Sequence, residues 1–217
     1  MPETDDRHFI YFADPMCSWC YGFAPVVEQL AAHFDGRLPV RIVMGGLRAG
    51  NRQPMREKDR DYIRGAWKNV AEASGQPFDH AFFDRETFTY DTEPACRAVV
   101  AMRRLAPGQA LAFNRRVSAS FYASNRDVTD DEVLADIGAE AGIERACFLA
   151  ELQSEACRNE TFGDFLMAKQ SGVEGFPLLA AGNERTGYAL VTHGFRPIDG
   201  LIEAIDDWLA KGAPVTQ

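Results

Sequence analysis

The sequence predicts an α/β protein in which a β-α-β unit and a β-β-α unit flank a long helical block. Three observations support this fold class. Short β-prone segments occur only near the two ends of the chain, amphipathic helical stripes fill the middle, and a Cys-x-x-Cys pair, Cys17 and Cys20, separates the first strand from the first helix.

The opening unit is read from residues 8–44. Residues 8–13 (HFIYFA) are short and rich in aromatic and β-branched side chains, as expected of a buried strand. Asp14-Pro15 ends this strand, and Gly36 ends the helix that follows. Residues 39–44 (PVRIVM) form the second predicted strand. The apolar stripe of the helix has the i, i+3, i+4, i+7 spacing: Phe23, Val26, Val27, Leu30, Ala31 and Phe34.

The middle of the chain, residues 51–172, is predicted to be all helical. Thr92 is placed to cap one helix, and Thr129-Asp130-Asp131-Glu132 has the pattern of a capping box before another. Apolar stripes recur along this stretch, the last of them through Phe162, Phe165 and Leu166. We therefore expect a helical insertion domain over 51–172 and a second domain formed by 1–50 and 173–217.

The closing unit contains two strands and a helix. Residues 177–181 (PLLAA) and 188–192 (YALVT) are predicted strands joined by a turn around Gly182-Asn183. Pro197 is placed to open the last helix, because proline is favoured in the first turn. The stripe of that helix is Ile198, Leu201, Ile202, Ile205, Trp208 and Leu209.

Composition and charge exclude several classes of function. The chain has 217 residues and a net charge of −9, which opposes non-specific binding to nucleic acid or to anionic lipid. No run approaches the roughly 18 apolar residues of a membrane helix. The first ten residues are acidic rather than signal-like, so a cytoplasmic location is expected.

The Cys17–Cys20 motif carries the clearest chemical signal. A thiol at a helix N-terminus is stabilised as a thiolate by free backbone N–H groups, and such thiols have pKa values of roughly 3.5 to 7.5. Cys17 is predicted at that position, and Cys20 lies one turn deeper, within reach of a disulfide. The alternative is half of a zinc site, but a second cysteine or histidine pair is missing and the four histidines are dispersed. No metal site is expected.

The sequence resembles the DsbA-like branch of the thioredoxin superfamily. The resemblance rests on DPMCSWC after a strand, on Gly175-Phe176-Pro177 before a later strand, and on the helical block between them. It implies a thioredoxin fold with a helical insertion, and a cis Phe176–Pro177 bond beside the cysteines. The backbone of Phe176 would offer an edge to a substrate, and the helical block would form a lid that selects substrates.

This sequence departs from the family pattern in two places. Ser18-Trp19 matches neither the Gly-Pro of reducing thioredoxins nor the Pro-His of strongly oxidising enzymes, so the direction of the redox reaction stays open. Tyr11 stands near the position of the buried acid on the first strand. The nearest carboxylate is Asp14, for which we expect a role in accepting backbone hydrogen bonds in a turn.

Three further cysteines lie outside the motif. Cys96 falls on an apolar helical stripe and is expected to fill the core. Cys147 and Cys157 lie on neighbouring predicted helices. They are interpreted as inert packing residues, with a second redox pair as the alternative.

The leading functional hypothesis is a thiol-disulfide oxidoreductase that exchanges disulfides with protein or small-molecule thiols. Cys17 and Cys20 are the candidate catalytic residues, and Ser18, Trp19, Phe176 and Pro177 are the candidate substrate-binding residues. No bound cofactor is expected, with glutathione as a candidate redox partner.

Two alternatives are kept. One is a glutathione-dependent enzyme resembling kappa-class glutathione transferases and 2-hydroxychromene-2-carboxylate isomerases, which generally carry serine at the first motif position; the other is a peptide-binding or chaperone-like module.

Overall fold

The computed structural model describes residues 6–211 and contains one four-stranded sheet with strand order β2-β1-β3-β4. β1 pairs with β2 in parallel and with β3 antiparallel, and β3 pairs with β4 antiparallel. The first strand is therefore central, which suits its nearly complete burial. The strands are β1 (His8–Ala13), β2 (Val40–Met44), β3 (Leu178–Asn183) and β4 (Gly187–His193).

Eight α-helices lie in the described part of the chain, and six of them come between β2 and β3. Two short 3-10 turns, His80–Asp84 and Pro107–Gln109, also belong to that block. The order β-α-β, helices, β-β-α agrees with the prediction. The helices are α1 (Ser18–His33), α2 (Glu57–Ser74), α3 (Glu93–Leu105), α4 (Ala110–Tyr122), α5 (Asp131–Glu140), α6 (Arg145–Gln153), α7 (Glu155–Gln170) and α8 (Leu201–Lys211).

The sheet buries both of its faces. Phe9 and Tyr11 of β1 point to one face and join the main core, which continues into the helical block. Ile10 and Phe12 point to the other face, where they pack with Val43 and with Ala168 of α7. This alternation follows from the two-residue period of a strand, and the double burial explains why β1 is apolar without interruption.

An ion-pair network joins the helical block to the sheet. Arg103 of α3 donates to the carbonyl of Ile42 at 2.9 Å and to the Asp164 carboxylate at 2.8 Å. Asp164 in turn accepts the backbone N–H of Met44 at 2.9 Å. Glu160 completes the network by accepting from Arg103 at 2.8 Å. The end of β2 is thus held by side chains from two helices of the insertion.

Two predictions about helix starts were wrong. α8 begins at Leu201 rather than near Pro197, because Gly200 has a positive φ of 74° and interrupts helical geometry before it. α5 is capped by Asp130 rather than Thr129. The Asp130 carboxylate accepts the N–H of Glu132 at 2.9 Å, whereas the Thr129 hydroxyl donates to Asp127.

Two further local predictions need correction. β3 continues through Asn183, so the turn lies after that residue, and the Asn183 side chain accepts the N–H of Thr186 at 2.7 Å. Thr92 does precede α3, but its hydroxyl accepts the N–H of Arg48 at 3.1 Å instead of capping the helix. In both cases a polar side chain forms a hydrogen bond with a backbone N–H that helix and turn propensities do not identify.

The described helices include none that is long and apolar enough to cross a membrane. Within residues 6–211, no group of three or more His, Cys, Asp or Glu side chains is arranged to hold a metal ion.

Candidate active site

The turn between β1 and α1 positions the first cysteine. The Asp14 carboxylate accepts the N–H of Met16 at 2.8 Å and the N–H of Leu47 at 2.7 Å, and the Asp14 carbonyl accepts the N–H of Cys17 at 3.0 Å. Asp14 is fully buried, and this burial raises the pKa of its carboxyl. The predicted role of Asp14 as an acceptor of backbone donors is confirmed.

Cys17 is the N-cap residue of α1. It is 6% exposed, and its sulfur lies 3.6 Å from the carbonyl oxygen of Phe176. The first turn of α1 contains no acidic residue, so no side-chain charge there opposes the helix dipole at this sulfur.

Cys20 lies one turn deeper and has no exposed surface. Burial raises the pKa of its thiol well above the usual value, and the neighbouring Cys17 adds to this effect. A backbone hydrogen bond from Asp14 acts in the opposite direction. The two cysteines are close but not bonded to each other, and they differ slightly in access, since Cys17 is 6% exposed and Cys20 is 0% exposed.

The Phe176–Pro177 peptide bond is cis, as the sequence predicted. Pro177 is buried, and its carbonyl accepts the N–H of Gly194 at 2.8 Å. The Phe176 ring lies directly over Gly45, where an added Cβ would come within 2.1 Å of the ring. Because residue 45 is glycine, the Phe176 ring can occupy this position. The Phe176 carbonyl can then lie beside the Cys17 sulfur.

The other two motif residues are half-buried at the start of α1. Ser18 and Trp19 keep part of their surface exposed, and the Trp19 ring packs against Phe195 with centroids 5.8 Å apart. Trp19 therefore has a packing partner in the segment between β4 and α8 as well as an exposed edge beside the cysteines.

Two buried tyrosines of the helical block reach the site, and sequence reasoning missed both. The Tyr90 hydroxyl donates to the carbonyl of Met16 at 2.7 Å and lies 3.2 Å from the Tyr122 hydroxyl. The Tyr122 ring stacks on Tyr21 of α1 at 5.1 Å. Burial raises the pKa of Tyr90 and of Tyr122. The only signal in the sequence was the density of aromatic residues between positions 78 and 90.

Beside Cys17 lies a surface groove, here called the Phe176 groove. It has a volume of about 380 Å³ and is lined by Leu47, Phe165 and Phe176, with Lys169 and Glu174 among its charged residues. On α7, Phe162 is 58% exposed and packs edge-on against Phe165, and Leu166 is 53% exposed. Phe162 and Leu166, which belong to the predicted apolar stripe, therefore do not pack in the core.

A second pocket is lined by residues that follow Leu47 in the sequence. It has a volume of about 430 Å³ and is lined by Arg48, Asn51 and Arg56, among others. The Arg48 guanidinium lies 5.1 Å from the centre of the Tyr90 ring. No carboxylate of the described residues is within ion-pair distance of Arg48, whereas Arg56 is paired with Asp59 at 2.8 Å.

The remaining cysteines are all free. Cys96 is buried and its thiol lies 3.5 Å from the Asp14 carboxylate, which agrees with the predicted core position. Cys157 is buried with its thiol 3.4 Å from the carbonyl of Arg97, whereas Cys147 is exposed. The second pair considered from the sequence is not bonded in this structure.

The sheet order, the cysteine pair at the start of the first helix and the cis-proline together define a thioredoxin-like protein. The chain belongs to the DSBA-like thioredoxin domain family, which it matches over residues 9–206. It therefore has the fold of DsbA-like thiol-disulfide oxidoreductases.

Solved structures of similar proteins agree with this assignment. A candidate protein disulfide isomerase of Nitrosomonas europaea is 34% identical, with a TM-score of 0.88 over 96% of this chain and 100% of that one. The cytosolic disulfide reductase DsbM of Pseudomonas aeruginosa is 25% identical, with a TM-score of 0.76 over 94% of this chain and 99% of that one. A 2-hydroxychromene-2-carboxylate isomerase, 17% identical with a TM-score of 0.67 over 96% of this chain and 99% of that one, shares the fold.

Among curated relatives, the ClpXP adapter protein SpxH of Halalkalibacterium halodurans is 23% identical over 91% of this chain and 66% of its own length. The SpxH protein of Bacillus subtilis is 24% identical over 77% of this chain and 56% of its own length. The chain thus spans somewhat less than two thirds of the length of these two relatives.

Proposed function

We propose that the protein is a thiol-disulfide oxidoreductase in which Cys17 exchanges with the substrate and Cys20 resolves the mixed disulfide. The observation that carries this proposal is the asymmetry of the two sulfurs. Cys17 is the N-cap residue of α1 and keeps 6% of its surface exposed beside the Phe176 carbonyl, while Cys20 has no exposed surface and a raised pKa. The more accessible thiol attacks a partner first, and the fully enclosed thiol then attacks the mixed disulfide.

The Phe176 groove supports a polypeptide substrate. The Phe176 carbonyl lies 3.6 Å from the Cys17 sulfur and Phe176 also lines this groove, so residues flanking a substrate cysteine would lie along it. Phe162 and Leu166 extend the apolar surface from the groove along α7. We assign the groove to an extended segment with a large apolar side chain next to the reacting cysteine. The helical insertion, residues 51–172, would select substrates through this surface.

The pocket at Arg48 supports glutathione as a small redox partner. Arg48 has no carboxylate within ion-pair distance among residues 6–211, and its contact with the Tyr90 ring links it to the turn before Cys17. Guanidinium groups bind carboxylates well, and glutathione carries two. A DsbM structure has been solved with glutathione. We expect Arg48→Met to raise the KM for glutathione several-fold and to leave exchange with the uncharged thiol 2-mercaptoethanol unchanged. Equal effects on both thiols would contradict this role.

The main experiment compares the wild type with Cys17→Ser, Cys20→Ser and the double variant in two assays. One follows exchange with a small disulfide, and the other follows reduction of a disulfide-bonded protein. The proposal expects Cys17→Ser to abolish both activities and Cys20→Ser to accumulate a mixed disulfide. Glutathione-dependent isomerisation or transfer that survives in Cys17→Ser would favour the glutathione-dependent class instead.

A protein-binding adapter is the second candidate function, and the SpxH relatives together with the exposed Phe162 and Leu166 favour it. An adapter would bind its partner without using its thiols. Binding of a partner protein that is equal in the wild type and in the Cys17→Ser, Cys20→Ser double variant would support this candidate. A cytosolic setting, proposed from the sequence, agrees with the description of DsbM as cytosolic.

A further inference from the structure

The Tyr11 hydroxyl is a buried polar group without a good hydrogen bond. Tyr11 lies on the central strand β1, paired with Ile42 on one side and Leu179 on the other, and has no exposed surface. Its hydroxyl oxygen makes no hydrogen bond of normal geometry within residues 6–211, but it lies near enough to the Cys20 side chain for a weak hydrogen bond to contribute to its raised pKa. A buried hydroxyl without a good hydrogen bond destabilises the folded state, and phenylalanine would fill the same space without that penalty. Buried polar groups normally have a hydrogen-bond partner, so this exception needs an explanation. A role at a redox site is one recognised explanation.

The polar groups that act on this hydroxyl are the two sulfurs of the motif. Burial raises the pKa of Tyr11 well above its usual value, and negative charge on Cys20 and then on Cys17 raises it further. The hydroxyl therefore keeps its proton at neutral pH. It is a donor beside a sulfur that becomes negatively charged during exchange, and its ring is fixed against Phe23 with centroids 6.2 Å apart.

We infer that Tyr11 is a positioning residue for the resolving step, in which its hydroxyl donates a hydrogen bond to the Cys20 sulfur when that sulfur is a thiolate. This inference rests on the proposed function. Cys20 is fully buried, so solvent cannot stabilise its charge, and the Asp14 carboxylate nearby opposes that charge. A neutral donor acts in the opposite sense and supports the thiolate without accepting its proton.

The step balances as an ordinary exchange. The S–H bond of Cys20 breaks, its sulfur attacks the Cys17 sulfur of the mixed disulfide, and the Cys17–Cys20 bond forms as the bond to the partner sulfur breaks. The departing thiolate of the partner takes up one proton for the one that Cys20 gives up, so protons balance. Two electrons pass from the cysteine pair to the partner. Tyr11 keeps its proton throughout and lowers the energy of the intermediate thiolate.

All proteins in this test carry Cys147→Ser, because the exposed Cys147 thiol would also react with Ellman's reagent. In that background the reagent resolves the two steps, because reduced protein releases one nitrothiobenzoate when Cys17 attacks and a second when Cys20 resolves. For Tyr11→Phe we expect the second release to be about tenfold slower at neutral pH, with its pH midpoint raised by about one unit, since one pKa unit corresponds to a tenfold change. The first release should keep its rate. The matched control is Tyr188→Phe on the edge strand β4, which removes a tyrosine hydroxyl that contacts His8.

The possible results distinguish a failure of the role of Tyr11 from a failure of the proposed function. Tyr11→Phe removes a hydroxyl without a good hydrogen bond, so the variant should fold at least as stably as the wild type. An unchanged rate and pH profile for the second release, or equal slowing of both releases, would overturn the role of Tyr11 and leave the proposed function standing. A wild type that shows no second release, or a second release that persists in Cys20→Ser, would overturn both.

Discussion

The Tyr90 hydroxyl donates a 2.7 Å hydrogen bond to the backbone carbonyl of Met16, the residue immediately before Cys17. Tyr90 belongs to the helical block and Met16 to the turn that follows β1, so this bond joins the helical block to the Cys17–Cys20 motif. The Tyr122 hydroxyl, 3.2 Å from that of Tyr90, extends the contact into α4. The position of Cys17 thus depends on both parts of the chain.

Replacing Tyr90 with phenylalanine tests this dependence. The change leaves the buried Met16 carbonyl without its donor, which should lower the free energy of unfolding by about 1–3 kcal/mol. In a chain of this size, that corresponds to a fall in Tm of roughly 2–4 °C for each kcal/mol. Thermal unfolding and the rate of Cys17 alkylation measure the two effects. The control is Tyr62→Phe, whose side chain is 74% exposed, and an equal effect of both variants would contradict the bond's importance.

The Tyr90–Met16 bond also shows where sequence reasoning reaches its limit. The strands, α1 and the placement of Cys17 at its start follow from local patterns: aromatic and β-branched runs, a helical stripe and the Asp-Pro turn. Tyr90 and Met16 are separated by 74 positions. No local pattern pairs residues so far apart, because that pairing is decided by how the helical block packs on the sheet.

α7 illustrates a second limit. Its apolar spacing correctly predicted a helix, but Phe162 and Leu166 are exposed on it while Ala168 is buried against the sheet. Periodicity identifies an apolar face without saying whether the core or a partner covers it. The same holds at Thr92, whose hydroxyl bonds a loop 44 residues away instead of its own helix.

Selective alkylation distinguishes the two motif cysteines. At mildly acidic pH, iodoacetamide should label Cys17 well before Cys20, because Cys20 is fully buried and its pKa is raised. Peptide mapping by mass spectrometry locates the label. Cys17→Ser should leave slow labelling at Cys20, with the exposed Cys147 serving as an internal reference for accessible thiols. Faster labelling of Cys20 than of Cys17 would reverse their assigned roles.

Glycine 45 is expected to be essential to the geometry around Phe176. In Gly45→Ala, the new methyl group would overlap the Phe176 ring, which would have to move and shift the carbonyl that lies 3.6 Å from the Cys17 sulfur. We expect loss of stability by about 1–3 kcal/mol and slower exchange with a protein disulfide. Gly65→Ala is the matched control, since nothing lies within 4 Å of its added Cβ and alanine favours the helix. Unimpaired exchange in Gly45→Ala would show that the Phe176 ring position is not required.

The apolar surface on α7 provides a test of substrate selection. The double variant Phe162→Ser, Leu166→Ser removes two exposed apolar side chains near the Phe176 groove without touching the sulfurs. Exchange with a small disulfide should stay at the wild-type rate, whereas exchange with a disulfide-bonded protein should slow several-fold. Leu190→Ser, at a side chain 47% exposed on β4, is the control for loss of surface hydrophobicity. Unchanged kinetics with the protein substrate would remove the groove from the proposed function.

Glu160 should make stability depend on acidic pH. Burial disfavours its charged form, but hydrogen bonds from Arg104 and Arg103 outweigh that effect, so the pKa of Glu160 in the folded protein is lowered from 4.5. A lowered folded-state pKa means that the stabilisation is fully present above the unfolded pKa and is lost as the pH falls through the folded pKa. Glu160→Gln should therefore cost about 0.5–1 kcal/mol at pH 7, a modest figure because the carboxylate is partly exposed. The difference should shrink below about pH 4.5.

Urea unfolding at several pH values measures this difference in stability. The control is Glu72→Gln, at a carboxylate 3.9 Å from Lys68 on an exposed helix face. A pH-independent difference would show that Glu160 stabilises the α3–α7 contact by packing rather than by charge.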